Sequence, residues 1–264
     1  MKVLIKIGGT LLDAQESRNR LAEEISSVAK SGVSAVVVHG GGKQMTRFLA
    51  ERGIESRFVN GLRVTTPEVL DAVLKVLAGS VNRELVASFI AAGANAVGLT
   101  GMDALLGPAE RMNDELGAVG KPVRADGRLL NLLLEAGYLP VVACLAGDRQ
   151  GHFYNVNADQ MAVSVAASIH ADKLFLLTDV EGVKGPDGAI LPAMSPECCR
   201  RLIQSGVAGG GMQAKLEAAM QAMRQGTAEI RIASGAVPGV VRKLLDGAAL
   251  GTRLVNERGV DSNA

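Results

Sequence analysis

The sequence predicts an α/β fold with a mainly parallel sheet. Short apolar runs rich in Val, Ile and Leu alternate along the chain with amphipathic segments of helical period, and such alternation is typical of parallel strands joined by crossover helices. Residues that cap helices mark several helix starts. The 264 residues, of which 48% are hydrophobic, are enough for a sizeable core in one large domain or two smaller lobes.

Six runs have the length and composition of buried strands. In chain order they are KVLIKI (2–7), SAVVVH (34–39), NAVGLT (95–100), LPVVAC (139–144), KLFLLT (173–178) and AEIRIA (228–233). Eight further segments carry a helical pattern. They lie at about 13–30, 43–52, 67–92, 129–136, 158–170, 196–205, 212–225 and 238–246.

Two helix starts are clearly marked, at Thr66 before Pro67 and at Ser195 before Pro196. In each case a hydroxyl oxygen can accept from the unpaired N–H groups of the first turn. Proline suits the first helical position because it has no N–H to leave unpaired there. These features predict architecture rather than chemistry.

Two other segments predict turns. Asn60-Gly61 suits a type I′ hairpin, because both central residues of that turn take positive φ. Segment 107–127 is rich in Gly, Pro and charge, and we expect it to form hairpins across the surface. A change of lobe is expected near residues 170–172.

Charge and cysteine content limit the class of partner. The chain has 28 Lys and Arg against 27 Asp and Glu, so no positive field recruits nucleic acid or anionic lipid. No apolar run approaches the ~18 residues of a membrane helix, and the opening MKVLIKIGG is too short for a signal-peptide core. Cys144, Cys198 and Cys199 form no CxxC pair. We therefore expect a cytoplasmic protein that binds small molecules.

Glycines cluster at four places where predicted strands end or helices begin. Ligands of open α/β sheets gather at such strand ends, and glycine lets backbone N–H groups approach an anion without an intervening Cβ. A tight turn explains any one cluster, whereas four in one chain favour an anionic ligand. The clusters are Gly8-Gly9, Gly40 to Gly42, Gly182 with Gly185, and Gly209 to Gly211.

Neither common phosphate motif fits these glycines. A P-loop needs a hydroxyl residue after its Gly-Lys pair, but Gln44 follows Gly42-Lys43, and Val37 stands where the first glycine is required. GGGMQA (209–214) matches the G-x-G-x-x-A pattern, yet an amphipathic segment precedes it where a dinucleotide site requires a strand. A Walker-type NTPase is thereby disfavoured, and a dinucleotide-dependent oxidoreductase remains as an alternative.

Two lysines and one aspartate are candidates for chemistry. Lys6 interrupts the first strand, where a charge is costly unless it is paired or faces a site, and Lys215 is expected in the first turn of the helix after Gly209 to Gly211. Asp159 could hold both ammonium groups if these segments converge. Such a set suits phosphoryl transfer, which needs charge stabilisation more than covalent chemistry. The structural alternative is a pair of lysines whose charges reach solvent.

Motifs for other chemistries are missing from the sequence. There is no G-x-S-x-G elbow, no H-E-x-x-H and no Cys-His-Asn arrangement, which disfavours acyl-enzyme chemistry and zinc hydrolysis. His39, His152 and His170 are scattered, and we expect them to be structural or surface residues.

Six motifs, taken together and in order, resemble the acetylglutamate branch of the amino acid kinase family. The likeness spans nearly the whole chain, and NGLRVT with NVNAD is specific to that branch. It implies an αβα sandwich around an open, mainly parallel central sheet. An N-terminal lobe (1–170) would bind the acyl amino acid and dimerise, and a C-terminal lobe (171–264) would bind ATP. The motifs are KIGG (6–9), VVHGGGK (37–43), NGLRVT (60–65), NVNADQMA (155–162), LTDVEGV (177–183) and GGGMQAK (209–215).

The resemblance also implies roles for individual residues near the transferring phosphoryl group. Lys6 and Lys215 would neutralise its charge, and Asp159 would orient both lysines. Gly9 and Gly41 would donate backbone N–H groups to it.

Other residues would bind the two substrates. Gly42 would line the acyl amino acid, Arg63 would clamp its α-carboxylate in a bidentate manner, and Asn155 would help to fix the same end. The residues that would surround ATP are Asp179, Val180, Glu181, Gly182, Val183, Lys184, Val207, Ala208 and Gly209.

The implied reaction is ATP-dependent phosphorylation of the γ-carboxylate of N-acetyl-L-glutamate, the second step of arginine biosynthesis. Mg²⁺ would be carried by the ATP phosphates, without a metal site on the protein. The carboxylate is ionised at pH 7, so its attack requires no general base. Two alternatives stay open: a kinase of a related acylated amino acid, such as N-acetyl-aminoadipate in lysine biosynthesis, and a non-catalytic sensor on the same fold.

The chain departs from the family pattern in places. TGMDALL (100–106) lacks the glycine that often follows its aspartate, and AGGG (208–211) replaces a more usual polar residue before Gly-Met. The chain also opens directly on the first strand, whereas hexameric, arginine-inhibited relatives carry an N-terminal helical extension. We therefore expect a homodimer, paired through the helix at 67–92, without strong arginine feedback.

Overall fold

Strands and helices alternate through residues 1–255, the part of the chain that this computed structural model describes. The strands are β1 (Lys2–Ile7), β2 (Ser34–His39), β3 (Phe58–Val59), β4 (Leu62–Arg63), β5 (Ala96–Thr100), β6 (Ala109–Arg111), β7 (Gly120–Pro122), β8 (Leu139–Ala143), β9 (Leu145–Gly147), β10 (Phe153–Asn155), β11 (Lys173–Thr178), β12 (Ala193–Met194), β13 (Glu229–Ser234) and β14 (Thr252–Leu254). The helices are α1 (Gln15–Lys30), α2 (Gly42–Ala50), α3 (Pro67–Val73), α4 (Asn82–Ala91), α5 (Arg128–Glu135), α6 (Ala158–Ser168), α7 (Pro196–Gln204), α8 (Gly210–Arg224) and α9 (Val240–Leu245).

Eight strands form one sheet, in the order β12-β14-β13-β11-β1-β2-β8-β5. The central strand β1 pairs in parallel with β11 on one side and with β2 on the other. Only the β13–β14 pair of this sheet is antiparallel. The predicted α/β fold with a mainly parallel sheet is therefore confirmed. The chain fills the sheet on one side of β1 before it crosses to β11, and ligands of such sheets bind at this kind of switch point.

Helices cover both faces of the sheet. α1, α4 and α9 pack together on one face, and α5, α6 and α8 lie on the other. Leu4, Ile5 and Phe175 in the central strands are fully buried, because strands covered on both faces carry apolar side chains on both. This layering is the αβα sandwich that the family resemblance implies.

The long helix predicted at 67–92 contains an irregular stretch. α3 and α4 are joined without a break by a π-helical segment, Leu74–Val81. π-helical turns are rare and frequently occur near functional sites. The predicted helix is thus confirmed in extent, but its middle is wider than an α-helix.

The marked turns and caps form as predicted. Asn60 and Gly61 have φ values of 49° and 78° in the turn between β3 and β4. Thr66 Oγ1 accepts from Val69 N at 3.4 Å, and Ser195 Oγ accepts from the backbone of the third helical residue at 3.2 Å. The antiparallel pair β6–β7 confirms a hairpin within 107–127. The short strands β9, β10, β12 and β14 were not predicted, since two or three residues carry no periodic signal.

The departure in TGMDALL coincides with backbone strain. Ala104 has φ 51°, in the left-handed region that glycine enters freely and that disfavours residues with a Cβ. It directly follows Asp103, whose carboxylate accepts from Thr100 N at 2.6 Å and from Thr100 Oγ1 at 2.9 Å. These bonds hold the turn in place despite the strain.

Ala104→Gly should therefore raise the free energy of unfolding by about 0.5 kcal/mol, since relief of left-handed strain exceeds the added entropy of the unfolded chain. Ala29→Gly, in the right-handed helix α1, is the matched control and should lower it by up to about 1 kcal/mol. Urea unfolding of both variants measures the difference. An Ala104→Gly protein no more stable than the wild type would contradict this interpretation.

Candidate active site

The loops that follow β1 and β2 meet at the sheet's carboxyl edge. Gly8 N donates to Leu177 O at 3.0 Å, which ties the first loop to β11. A Cβ on Gly9 would lie 2.9 Å from Gly42 N, so the two loops are in backbone contact. Within residues 1–255 the N–H groups of Gly9 and Gly41 donate no backbone hydrogen bond. Both groups are therefore available to a ligand.

Two lysines converge on one buried carboxylate beside these loops. Lys6 Nζ lies 2.8 Å from Asp159 Oδ1, and Lys215 Nζ lies 3.1 Å from Asp159 Oδ2. Asp159 is 3% exposed and Lys6 is 5% exposed. The convergence arises because α6 packs against both β1 and α8. Lys215 lies in the second turn of α8 rather than in the predicted first turn, because the helix already begins at Gly210.

Asn157 positions this carboxylate, and sequence reasoning missed it. Its Oδ1 accepts from Asp159 N at 2.9 Å and from Gln160 N at 3.2 Å, which caps α6. The cap fixes the first turn of the helix, where Asp159 lies. An Asn directly before an apolar helical pattern is a recognisable capping signal, so the residue could have been identified within NVNAD.

Lys6, Lys215 and Asp159 together carry one excess positive charge, and the exposed Asp179 offsets part of it at Lys215. Burial alone would raise the pKa of Asp159, but the charges of Lys6 and Lys215 outweigh it and hold that pKa below its ordinary value. Burial, together with the charge of Lys6, lowers the pKa of Lys215 despite the nearby Asp159. A partly buried excess positive charge favours an anionic ligand.

Arg63 is a second buried cation and has no carboxylate partner within residues 1–255. It is 8% exposed. Its Nη2 donates to Thr46 Oγ1 at 2.8 Å and to Gly42 O at 3.1 Å, and its Nη1 donates to Ser56 Oγ. Burial lowers its pKa. A guanidinium buried among neutral acceptors retains an uncompensated charge, which suits a carboxylate ligand.

Arg63 lines a cleft of about 590 Å³ together with Gly9, Gly42, Thr46 and Phe58. Lys43 is exposed and lies at the same cleft. Larger cavities of about 1080 Å³ and 730 Å³ contain none of these residues. Charge and available N–H groups, rather than volume, mark the candidate site.

Asn155 lies next to the segment that carries Arg63 but does not line this cleft. It ends β10, and its Nδ2 donates to Thr65 Oγ1 at 3.1 Å. Thr65 Oγ1 in turn donates to Arg63 O at 2.8 Å. Asn155 therefore connects NVNAD to NGLRVT through one hydroxyl.

The residues expected around ATP follow β11 or directly precede α8. β11 pairs with β1, with Leu176 opposite Lys6, so the end of β11 lies beside the lysine cluster, and the charge of Asp179 acts on Lys215. Val183 is 1% exposed; its N–H donates to Thr252 Oγ1 at 2.8 Å, and its carbonyl accepts from Leu191 N at 2.9 Å. Ala208 is also buried. The exposed members of the set are Asp179, Val180, Glu181, Lys184, Val207 and Gly209.

Comparison with known proteins gives consistent matches. Residues 1–234 match the amino acid kinase family. A protein named acetylglutamate kinase from Solibacter usitatus is 54% identical over 255 residues, which cover 97% of this chain and 99% of that protein. A protein of the same name from Koribacter versatilis is 39% identical over 258 residues, with the same two coverages.

Solved structures share the fold. The protein smu.665 from Streptococcus mutans UA159 has a TM-score of 0.84 at 27% identity, covering 96% of this chain and 98% of that one. N-acetylglutamate synthase from Neisseria gonorrhoeae, complexed with coenzyme A and N-acetyl-glutamate, has a TM-score of 0.86 at 26% identity. That match covers 97% of this chain and 59% of the synthase.

Proposed function

The chain belongs to the amino acid kinase family, and we propose that it phosphorylates the γ-carboxylate of N-acetyl-L-glutamate with ATP. The product would be N-acetyl-L-glutamyl 5-phosphate, in the second step of arginine biosynthesis. The observation that carries the proposal is the convergence of Lys6 and Lys215 on the buried Asp159. The relatives named acetylglutamate kinase, which align over nearly the whole chain, support the choice of acceptor.

The reaction joins an oxygen of the γ-carboxylate to the γ-phosphorus of ATP as the bond to the ADP oxygen breaks. No proton is transferred, because the carboxylate is already ionised at pH 7. Lys6 and Lys215 stabilise the negative charge that moves through the transition state, and Asp159 holds their ammonium groups in place. Gly9 and Gly41 donate their N–H groups to the same phosphoryl group.

The acceptor is oriented from its other end. Arg63 binds the α-carboxylate, for which its buried, unpaired charge is suited. Asn155 steadies that end through Thr65, and Gly42 lines the space between them. Positioning of this kind brings the γ-carboxylate to the phosphorus and supplies much of the catalysis.

ATP binds along the end of β11 and the start of α8. Asp179, Val180, Glu181, Lys184, Val207 and Gly209 present exposed groups to it, and the buried Gly182, Val183 and Ala208 shape the loops that carry them. Mg²⁺ reaches the site on the ATP phosphates, as it commonly does in kinases, and neutralises part of their charge.

Two lobes share this site. The boundary between the lobes runs between the neighbouring strands β1 and β11. Residues 1–170 hold the acyl amino acid and residues 171–264 hold ATP; residues 256–264 lie outside the described residues.

We also propose a cytoplasmic homodimer paired through the helix at 67–91, on which Ile90 is 57% exposed. A molar mass of a monomer or a hexamer in solution would contradict the dimer.

Within residues 1–255 no helix is long and apolar enough to cross a membrane.

The alkaline side of the pH profile should depend on Lys215. Its pKa lies below the ordinary 10.5, so it loses its proton at a lower pH than an exposed lysine, and kcat should fall with that loss. In Lys215→Arg the guanidinium keeps its proton, so kcat should start lower but stay level through the same alkaline range. Steady-state kinetics from pH 7 to 10 measure both profiles. An unchanged alkaline decline in Lys215→Arg would assign it to another group.

ADP release with Mg-ATP and a panel of acceptors tests the proposed function. The panel contains N-acetyl-L-glutamate, glutamate, N-acetyl-aminoadipate, aspartate and carbamate, at matched concentrations. We expect the highest kcat/KM for N-acetyl-L-glutamate. A preference for N-acetyl-aminoadipate would move the protein to the related lysine-pathway activity, and no ADP release with any acceptor would favour a sensor.

A further inference from the structure

His39 connects the glycine loop after β2 to the long helix. It is the last residue of β2, it is fully buried, and no role described above uses it. Its Nδ1 lies 3.0 Å from Gly40 O, and its Nε2 lies 2.9 Å from Nδ2 of Asn82. Asn82 is also fully buried and directly follows the π-helical segment. His39 is thus buried rather than at the surface, and its ring links the backbone of Gly40 to the side chain of Asn82.

The other contacts of Asn82 determine which ring nitrogen carries the proton. Asn82 Nδ2 donates to Val141 O at 3.0 Å, and its Oδ1 accepts from Arg83, so the amide nitrogen faces His39. An amide nitrogen only donates. His39 Nε2 is therefore the acceptor, and His39 Nδ1 carries the proton donated to Gly40 O. Burial lowers the pKa of His39 to about 4, which keeps the ring neutral at pH 7.

The bond to Gly40 O orients the next peptide group. In a trans peptide the C=O of Gly40 and the N–H of Gly41 point in opposite directions. Holding the carbonyl on His39 therefore points the Gly41 N–H away from the His39 ring. The long helix also packs closely against the glycine loop after β2, because a Cβ on Gly41 would lie only 2.5 Å from Leu77 Cδ2. Leu77 belongs to the π-helical segment that precedes Asn82.

We propose that His39, held by Asn82, is a positioning residue that aims the Gly41 N–H at the transferring phosphoryl group. This inference rests on the proposed kinase function, in which Gly41 donates to that group. It also assigns a role to the irregular middle of the long helix, which presents Leu77 to the glycine loop and Asn82 to His39. A small displacement of such a donor is costly, since phosphoryl transfer depends on positioned charge and N–H groups.

Two substitutions of His39 separate aiming from packing. The asparagine amide nitrogen takes the place of Nδ1 and keeps the donor to Gly40 O, whereas the glutamine amide nitrogen takes the place of Nε2 and loses it. Both replace a buried ring by an amide, so Tm should fall by similar amounts. We expect kcat to fall about 10- to 100-fold in His39→Gln but only about threefold in His39→Asn, with KM for ATP unchanged in both. Equal kcat values in the two variants would overturn the inference.

Nitrogen-15 NMR of the histidine rings tests the tautomer without turnover, and so applies even if His39→Gln does not fold. The chain has three histidines, and His152→Gln and His170→Gln complete the assignment. We expect the His39 proton on Nδ1 at pH 7, and in Asn82→Asp a shift toward Nε2 together with a lower kcat. A proton on Nε2 in the wild type would overturn the inference. Failure of the proposed function has a different signature, namely no ADP release by the wild type with any acceptor.

Discussion

Lys6→Ala should lower kcat by about 10²- to 10³-fold, because it removes a positive charge from a buried site where the transition state concentrates negative charge. Lys6 is 5% exposed and lies 2.8 Å from Asp159, so solvent cannot readily replace its charge. KM for both substrates should change less than kcat, since the lysine acts mainly on the moving phosphoryl group. ADP release under saturating Mg-ATP and N-acetyl-L-glutamate measures both parameters.

Lys2→Ala is the matched control on the same strand. Lys2 Nζ donates to Asn131 Oδ1 at 2.8 Å and to Ile169 O at 3.2 Å, at the opposite end of β1 from Lys6. Its removal should lower Tm and leave kcat near the wild-type value. A Lys6→Ala enzyme that keeps kcat within about threefold of wild type would show that Lys6 makes no contact with the transition state.

Arg63→Ala should raise KM for N-acetyl-L-glutamate by about 10- to 100-fold, the loss expected for charge-assisted hydrogen bonds to one carboxylate. The KM for ATP should stay unchanged, and kcat should change little, because the α-carboxylate takes no part in bond formation. Arg63→Lys should recover only part of the affinity, since an ammonium cannot form the bidentate pair. Steady-state kinetics with each substrate varied in turn measure these effects.

Arg52→Ala is the control for loss of a guanidinium from the same region. The Arg52 side chain is 50% exposed and stacks on Phe48, 3.5 Å from its ring centroid, and it is not among the residues that line the cleft. Its kinetics should match the wild type. Equal weakening of ATP and N-acetyl-L-glutamate binding in Arg63→Ala would contradict a role specific to the acceptor.

The main strands and the lysine cluster could be predicted from the sequence because both depend on local patterns and on one topological rule. β1, apart from Lys6, and β11 are apolar runs typical of buried strands, and parallel strands bring their carboxyl ends to the same edge of a sheet. Lys6 lies one residue before the end of β1, Gly8-Gly9 follow that end, and Gly40 to Gly42 follow the end of β2. The meeting of Lys6, Asp159 and Lys215 thus follows once α6 and α8 pack on the same face.

Other features depend on contacts that no local pattern encodes. Thr46 and Ser56 hold Arg63, yet both are common surface residue types in segments with other signals. The π-helical segment has no sequence signal of its own, since the apolar period of the long helix suggests an ordinary α-helix. The burial of His39 against Asn82, 43 residues later, belongs to the same group of long-range contacts.

Trapping of the product tests the proposed reaction most directly. Hydroxylamine converts an acyl phosphate to a stable hydroxamate, so the wild-type protein incubated with Mg-ATP, N-acetyl-L-glutamate and hydroxylamine should form one hydroxamate for each ADP released. Mass spectrometry should place that hydroxamate on the γ-carboxyl group. ADP release without a hydroxamate, or a hydroxamate on the α-carboxyl group, would contradict phosphorylation of the γ-carboxylate.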